Sequence, residues 1–456
     1  MKDDTDPGMR PAQLIDKQAV GFFDSRIRAA RRRVYYQWTR TVLLLCVVIL
    51  SVMSLFWASQ FRVRQKMGNL TVWVVDFDGQ QTHYNDDKEK PIIGPAIVKV
   101  AQSKASSTTQ SLTYSVRSPA HFGYDPQAVK QAVYDEHVYA AVIVSSNATV
   151  TLFDALRNGD SSYQPTQAAQ FVTISARDQT TYSSYIDPAL CDFEREVMAQ
   201  FGPLWVGRLA MQENATSPVL RTGAPQAINP AIGFERLNLR PFSTPVAVPA
   251  VTVGLIYLII LAFFIFPFLM PVHMQLLKGD HPPLKTYQWV IWRILSNIAA
   301  YFFLSLSYSL VSLAFQIPFT NNPVPGTESA ESPNAYGHGS FVVFWMLNWV
   351  GMAALGFPCE NMAMILGAPY SSIFLIFWVI SNVATGFYAL DLAPAFFRWG
   401  YVWPLHRIVE ALRTILFGTH SRIGLDFGIL FAWISISIAL YPFANFVMQY
   451  KQRRGM

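Results

Sequence analysis

The sequence predicts a polytopic α-helical membrane protein with six transmembrane helices, one followed by five, and a large extracytosolic α/β domain between the first and the second. Three observations carry that prediction. Six apolar runs, Thr41 to Gln60, Val246 to Met270, Trp289 to Phe315, Phe341 to Leu366, Ser371 to Leu390 and Leu425 to Phe446, are each long enough to cross a hydrocarbon core of roughly 30 Å at about 1.5 Å per residue. The chain is 52% hydrophobic and 14% charged, against about 25% charged in an average soluble domain. No Lys or Arg occurs between Arg293 and Arg398, where the only acids are Glu328, Glu331, Glu360 and Asp391. A soluble core does not stay so free of charge over that length, whereas a bundle of spans does.

Residues 1–40 form a basic segment in which Arg26, Arg28, Arg31, Arg32, Arg33 and Arg40 lie directly ahead of the first span, at 41–60. Basic residues in that place hold a segment on the cytoplasmic side, so the net charge of +6 argues for a membrane flank rather than for nucleic acid. The leader and the apolar run are both too long for a cleaved signal peptide, and 41–60 reads as a signal anchor. Six spans then put 61–245 outside and the 273–293 loop inside, marked by Lys278, Lys285 and Arg293. They put 316–340 and 391–424 outside and the tail at 447–456 inside, marked by Lys451, Arg453 and Arg454, so both termini are cytoplasmic.

The 391–424 loop disagrees with its assigned side. Arg398, Arg407, Arg413 and Arg422 make it the most basic loop after the N-terminus. Within it, Leu405, Ile408, Val409, Leu412, Ile415 and Leu416 recur at helical spacing, with His406, Arg407, Glu410 and Arg413 on the other face. The pattern predicts an amphipathic helix over 405–417 along the outer interface, stopped by Gly418 and preceded by the belt residues Trp399, Tyr401 and Trp403. This helix and the five spans make up a membrane domain over 246–446.

The outside domain at 61–245 alternates strand and helix: a strand over Leu70 to Phe77, a helix over Ile92 to Ala101, a strand over Leu112 to Val116 and a helix over Asp125 to Asp135. Strands are expected at Tyr139 to Val144 and Thr149 to Phe153, on either side of a Ser145-Ser146-Asn147 turn. A longer helix over Ser183 to Met211, interrupted at Pro188 and Pro203, is expected to run as a stalk toward the membrane. Cys191 is the only cysteine of this domain, so it has no disulfide. Of the sequons at Asn69, Asn147 and Asn214, the first lies too near the span, leaving Asn147 and Asn214 as candidate glycosylation sites.

One span, an outside α/β domain and five spans is similar to the arrangement of ABC-2 type permeases and YhgE/Pip proteins. Two segments resemble the fungal nitrosoguanidine-resistance family. One runs from Asn238-Leu239-Arg240-Pro241-Phe242 into Val253-Gly254-Leu255-Ile256-Tyr257, and the other from Phe397-Arg398-Trp399-Gly400-Tyr401 through Glu410-Ala411-Leu412-Arg413 to Gly418-Thr419. The likeness covers roughly residues 65–446 and makes Arg240, Pro241, Arg398, Glu410 and Arg413 its motif residues. It implies a plasma-membrane protein tied to resistance to toxic small molecules, and its relatives imply a homodimer.

No Gly-Lys dipeptide occurs, so the chain has no P-loop and any ATP-driven action needs a separate nucleotide-binding subunit. His-Glu-x-x-His, Gly-x-Ser-x-Gly and Cys-x-x-Cys are absent and the eight His residues have no metal-ligand spacing, so neither catalysis, a metal nor a cofactor is expected. Glu360 is the only acid more than one residue inside an apolar run, and an acid deep in a span faces a pathway or a partner because exposure to lipid costs about 2.5–3.5 kcal/mol. With Asn361, Asn348, Asn382, Ser305 and Ser309 it forms a candidate transport pathway. Ser305, Ser309 and Ser312 share a helical face, and small, polar faces of this kind more often serve helix packing than a polar path. Two functions follow. The first is outward movement of amphipathic drugs or lipids, and the second is a non-transporting membrane organiser that alters drug sensitivity through the lipid environment.

Overall fold

The computed structural model describes residues 19–79, 90–106, 111–211, 223–277 and 281–454. Residues up to Met53 form one unit and Ser54 onward a second. The first is helical. α1 (Arg28–Val48) continues into a π-helical turn at Ile49–Met53, so the helix starts well ahead of Thr41 and takes in the arginine cluster.

The second unit begins with an α/β domain. Its elements in order are β1 (Thr71–Asp76), α2 (Ile93–Ser106), β2 (Thr113–Arg117), α3 (Pro126–Tyr134), β3 (Ala140–Val144), α4 (Ala148–Asn158), β4 (Ala169–Thr173), α5 (Asp187–Met211) and β5 (Phe234–Asn238). The strands form one sheet in the order β2-β1-β3-β4-β5, with only the β3–β4 pair antiparallel. β3, Ala-Ala-Val-Ile-Val, is buried along its whole length, as expected for a central strand covered on both faces. Leu152, Phe153, Leu190, Phe193, Val197, Phe201 and Trp205 pack on one face, and Val129 and Val133 of α3 on the other.

Two expectations for this domain fail. Thr149 to Phe153 is helix, not strand: the buried Asp78 carboxylate accepts the Thr149 backbone N–H at 3.0 Å and its hydroxyl at 2.6 Å, anchoring the first turn of α4. Local β-branched composition lost to this tertiary contact and to the helical spacing of Leu152, Ala155 and Leu156 on the core. α5 is not a stalk. It lays Leu190, Phe193, Val197, Phe201 and Trp205 on the sheet, with the Trp205 indole donating to Ala227 O at 3.0 Å, and it runs through Pro203.

The membrane domain follows as α6 (Gly254–Met274), α7 (Thr286–Ala314), α8 (Ser340–Leu366), α9 (Tyr370–Gly386), α10 (Pro404–Phe417) and α11 (Ile423–Arg453). Among the described residues, five helical stretches are long and apolar enough to cross a membrane: Ser25–Ser59, Pro245–Met274, Thr286–Ala314, Gly337–Leu366 and Ile423–Arg453. The run expected as the fifth span is shorter, 17 residues over Tyr370–Gly386, because a turn at Phe387 ends it before Leu390. That is the lower limit for spanning, about 17 residues. The second span is interrupted instead at Thr252, between a short helix at Val248–Val251 and α6, while Pro267, Pro271 and Pro442 lie inside continuous helices. α8 is the central helix, packed against α6, α7, α9, α10 and α11.

α10 forms where the periodicity places it, and Gly418 ends it with φ +62°. Its environment differs from the expectation. Both faces are buried, His406 and Arg407 included, and the helix is embedded against α8, α9 and α11 rather than laid along a lipid surface. The sheet domain, the 316–340 loop and the 391–424 loop meet at one end of the bundle. There Ser329 donates to Asn238 O at 2.5 Å, Tyr134 to Gly418 O at 3.0 Å and Asn69 to Asp391 O at 2.7 Å.

Candidate functional site

The α7–α8 interface gathers six buried polar residues of the membrane helices, Arg293, Asn297, Ser305, Ser309, Asn348 and Glu360. On α7 the buried positions Trp289, Arg293, Asn297, Tyr301, Ser305 and Ser309 recur every four residues, one i+4 ridge. On α8 the ridge Phe344, Asn348, Met352, Gly356, Glu360 and Met364 runs antiparallel to it. Asn348 donates to Ser309 Oγ at 3.0 Å, Tyr301 lies against Gly356, Asn297 and Arg293 both donate to Glu360, and Arg293 reaches Met364 Sδ at 3.3 Å. The same register sets Ser305 opposite Met352, and the Ser305 hydroxyl donates to Phe302 O at 3.0 Å. A Cβ at Gly356 would collide with the Tyr301 hydroxyl, so glycine permits this close approach.

Glu360 is the charged centre of the seam. One carboxylate oxygen accepts from Arg293 Nη2 and from the Tyr441 hydroxyl of α11 at 2.8 Å, and the other from Asn297 Nδ2. Arg293 is enclosed by the rings of Trp289, Tyr441 and Phe266 at 4.8, 5.3 and 5.6 Å. Three helices therefore share one buried ion pair, whose side chains are 1% and 3% exposed. Arg293 is no marker of the cytoplasmic loop, as its charge suggested, because it lies within α7 as the counter-ion of Glu360.

The candidate pathway residues divide by seam. Glu360, Asn348, Ser305 and Ser309 share the α7–α8 seam, whereas Asn361 donates to Ser437 O on α11 at 2.8 Å. Asn382 of α9 accepts the Leu405 backbone N–H at 3.1 Å and so supports the first turn of α10. All six are buried. Ser312 does not continue the Ser305–Ser309 row. It lines a separate apolar groove of about 560 Å3 with Tyr257, Tyr308 and Phe315.

Of the motif residues, Arg240 builds the junction between sheet and bundle. Arg240, at the exit of β5, is buried and donates to five carbonyls: Leu239 O at 2.7 Å, Val324 O at 2.6 Å, Pro325 O at 2.9 Å, Glu328 O at 2.7 Å and Gly418 O at 3.0 Å. Its guanidinium also lies 5.0 Å from the Tyr134 ring. A single side chain thus ties the sheet, the 316–340 loop and the C-terminus of α10 together, with carbonyl dipoles instead of a carboxylate compensating its charge. Pro241 follows at the chain's turn, Glu410 pairs with Arg413 at 3.1 Å, and Arg398 is exposed. Asn147 stands in the left-handed region (φ +56°) ahead of α4 and is half-buried, while Asn214 lies outside the described residues.

Residues 41–439 match the family described as protein of unknown function (DUF3533). The chain belongs to the DUF3533 family. An uncharacterized endoplasmic reticulum membrane protein of Saccharomyces cerevisiae, YJR015W, is 26% identical over 97% of this chain and 86% of its own length. No solved structure matches.

In this DUF3533 chain the charge conflict at 391–424 also has an answer. Arg422 pairs with Glu136 at 3.2 Å and His420 with Asp135 at 3.3 Å, both at the C-terminal end of α3, and Arg407 pairs with Asp426 at 3.3 Å. Arg422 and His420 dock on an acidic edge of the sheet domain, whereas Arg407 and Arg413 are paired within the bundle end itself. Burial raises the Glu136 carboxyl above its ordinary range, opposed by Arg177 and Arg422. Burial also acts to raise Glu410, but Arg413, His406, Arg177 and Arg422 outweigh it and hold that carboxyl low. Arg293, Tyr441 and this charged edge were missed in the sequence. The i+4 recurrence of Trp289, Arg293, Asn297 and Tyr301 was the available signal for the first.

Proposed function

We propose that this DUF3533 protein is an ABC-2-permease-like membrane protein that moves amphipathic drugs or lipids outward, and that it opens along the α7–α8 seam. The observation supporting this is the polar ladder of that seam, with the Arg293–Glu360 pair at its charged end. Side chains that can hydrogen-bond to one another when the seam is closed can line a polar route when it parts, and an intramembrane charge is most often retained for a pathway or a relay. The reading includes six spans, cytoplasmic termini, an extracytosolic sheet domain and glycosylation at Asn147. It includes no enzymatic reaction, a homodimeric assembly and a motor, if ATP drives the cycle, on another chain.

The resemblance to resistance proteins favours the plasma membrane, whereas the yeast relative is named for the endoplasmic reticulum. In either membrane, six spans with cytoplasmic termini put the sheet domain on the extracytosolic side. A second function, a membrane organiser that does not transport, is favoured by the closure of the seam: its polar residues are buried, with Asn348 bonded to Ser309 and Glu360 to Arg293 and Asn297. The two separate in cells with and without the protein. Transport predicts higher intracellular accumulation of a fluorescent amphipathic drug in cells lacking it, and unchanged accumulation despite altered drug sensitivity would sink transport and leave the organiser.

A further inference from the structure

Between the sheet domain and the 389–425 segment lies a cleft of about 340 Å3, within the roughly 300–1,000 Å3 usual for small-molecule sites. Its walls carry Arg177, Arg407, Arg413 and Arg422 against Glu136, Asp178, Asp391 and Glu410. His406 also lines it, and burial disfavours its charged form.

The hydrogen bonding is lopsided. Each guanidinium has five N–H donors. Arg177 places one on Val138 O at 2.9 Å, Arg413 one on Glu410, Arg422 one toward Glu136, and Arg407 two, on Tyr401 O and Asp426. Most of the arginine donors therefore have no acceptor among the described residues. Glu136 and Glu410 are each ion-paired with an arginine, whereas Asp391 and Asp178 have no cation within ion-pair distance among the described residues. Asp391 accepts from the Tyr139 and Tyr401 hydroxyls at 2.5 and 3.2 Å, and Asp178 accepts the Thr181 N–H at 3.0 Å through one oxygen. A carboxylate has about four lone-pair sites, so both retain acceptor capacity. None of the unpaired polar atoms of these arginines or of Asp178 and Asp391 is sealed from solvent, so donors and acceptors stand open to a ligand in the cleft.

We propose that this cleft binds a zwitterion, a phosphate ester bearing a primary ammonium group, with the arginine donors on the phosphate and Asp391 and Asp178 accepting from the ammonium. Four positive and four negative side chains favour a ligand carrying both signs over a simple anion. Paired N–H donors of arginine match phosphate oxygens geometrically. The ligand is either a soluble compound or the headgroup of a bilayer lipid, and binding here does not depend on transport through the seam.

The test is calorimetric titration of the full-length protein in detergent with phosphoethanolamine, glycerol phosphate, ethanolamine and phosphocholine. Phosphoethanolamine should bind at least tenfold more tightly than each of the others. Asp391→Asn should reduce phosphoethanolamine to the level of glycerol phosphate while leaving glycerol phosphate binding in place, which also shows that the variant is folded. Arg413→Lys should weaken both phosphate ligands alike. Equal affinity for glycerol phosphate and phosphoethanolamine, or no binding of phosphoethanolamine to the wild-type protein, overturns the proposal. Repeating the titration in phosphatidylcholine nanodiscs with and without phosphatidylethanolamine separates the sources. Competition by the lipid identifies a headgroup site, its absence identifies a soluble ligand, and either result upholds the zwitterion.

Discussion

Glu360 and Arg293 occupy positions where neither would be stable alone. Removing one partner of a buried pair leaves an uncompensated charge and costs about 3–5 kcal/mol, whereas replacing both with apolar residues of similar size is often neutral or stabilising. Loss of activity in a single variant therefore confounds folding with function, and only a joint replacement separates them. A second residue gives a pH signature. The Asp76 carboxyl, at the end of β1, is pushed up to about 6 by burial, against the hydrogen bond it accepts from the Asp78 backbone N–H. A carboxyl whose folded pKa is raised stabilises the fold fully below its unfolded value near 4 and loses that contribution as pH rises through about 6. Asp76→Asn should accordingly melt at a higher temperature than wild type at pH 7.5, with the difference shrinking toward pH 4. A constant difference across that range would show that Asp76 does not titrate in the fold.

At the scale of elements, glycine positions test how tightly the central helix is packed. A Cβ at Gly356 meets the Tyr301 ring and hydroxyl, which are fixed in the α7 ridge, whereas a Cβ at Gly351 meets the flexible end of Ile408 at 2.8 Å. Gly356→Ala should lose on the order of 1–3 kcal/mol by overpacking and Gly351→Ala less, read as melting temperature in detergent. Equal losses would mean that the α7–α8 seam can give way. The helices themselves were largely legible. Apolar runs located the spans, the Leu405 to Leu416 periodicity gave α10, and the alternation after Leu70 gave β1 to β3. Thr149 to Phe153 reads as strand because its three β-branched residues weigh more in a local window than the hydrogen bonds Thr149 donates to Asp78, seventy-one positions earlier. β4 and β5 were not read at all, since Ala169–Thr173 and Phe234–Asn238 are short and gain their order from pairing with each other. The site was half legible: Glu360 stood out as an isolated acid, but its partner looked like a loop marker until α7 placed it inside the bundle.

For the whole molecule, the sheet domain is bound to one end of the bundle through Arg240, Tyr134 and the Glu136–Arg422 pair. The 316–340 and 391–424 loops must then face the same aqueous compartment as the domain. Single cysteines introduced by Ser161→Cys, Asn322→Cys and Ser421→Cys should react with a membrane-impermeant maleimide from one side, and by Gln452→Cys from the other. Labelling of the Ser421→Cys and Ser161→Cys proteins from opposite sides would break the topology. The decisive measurement concerns the seam. Arg293→Met and Glu360→Leu, combined with Asn297→Leu and Tyr441→Phe so that no donor to Glu360 is left buried without an acceptor, should yield a protein of normal membrane abundance and melting temperature, because the whole polar cluster is replaced by apolar packing. If the pair serves transport, cells carrying this variant accumulate as much fluorescent amphipathic drug as cells lacking the protein. Accumulation as low as in wild-type cells would contradict the account and reduce the Arg293–Glu360 pair to helix packing.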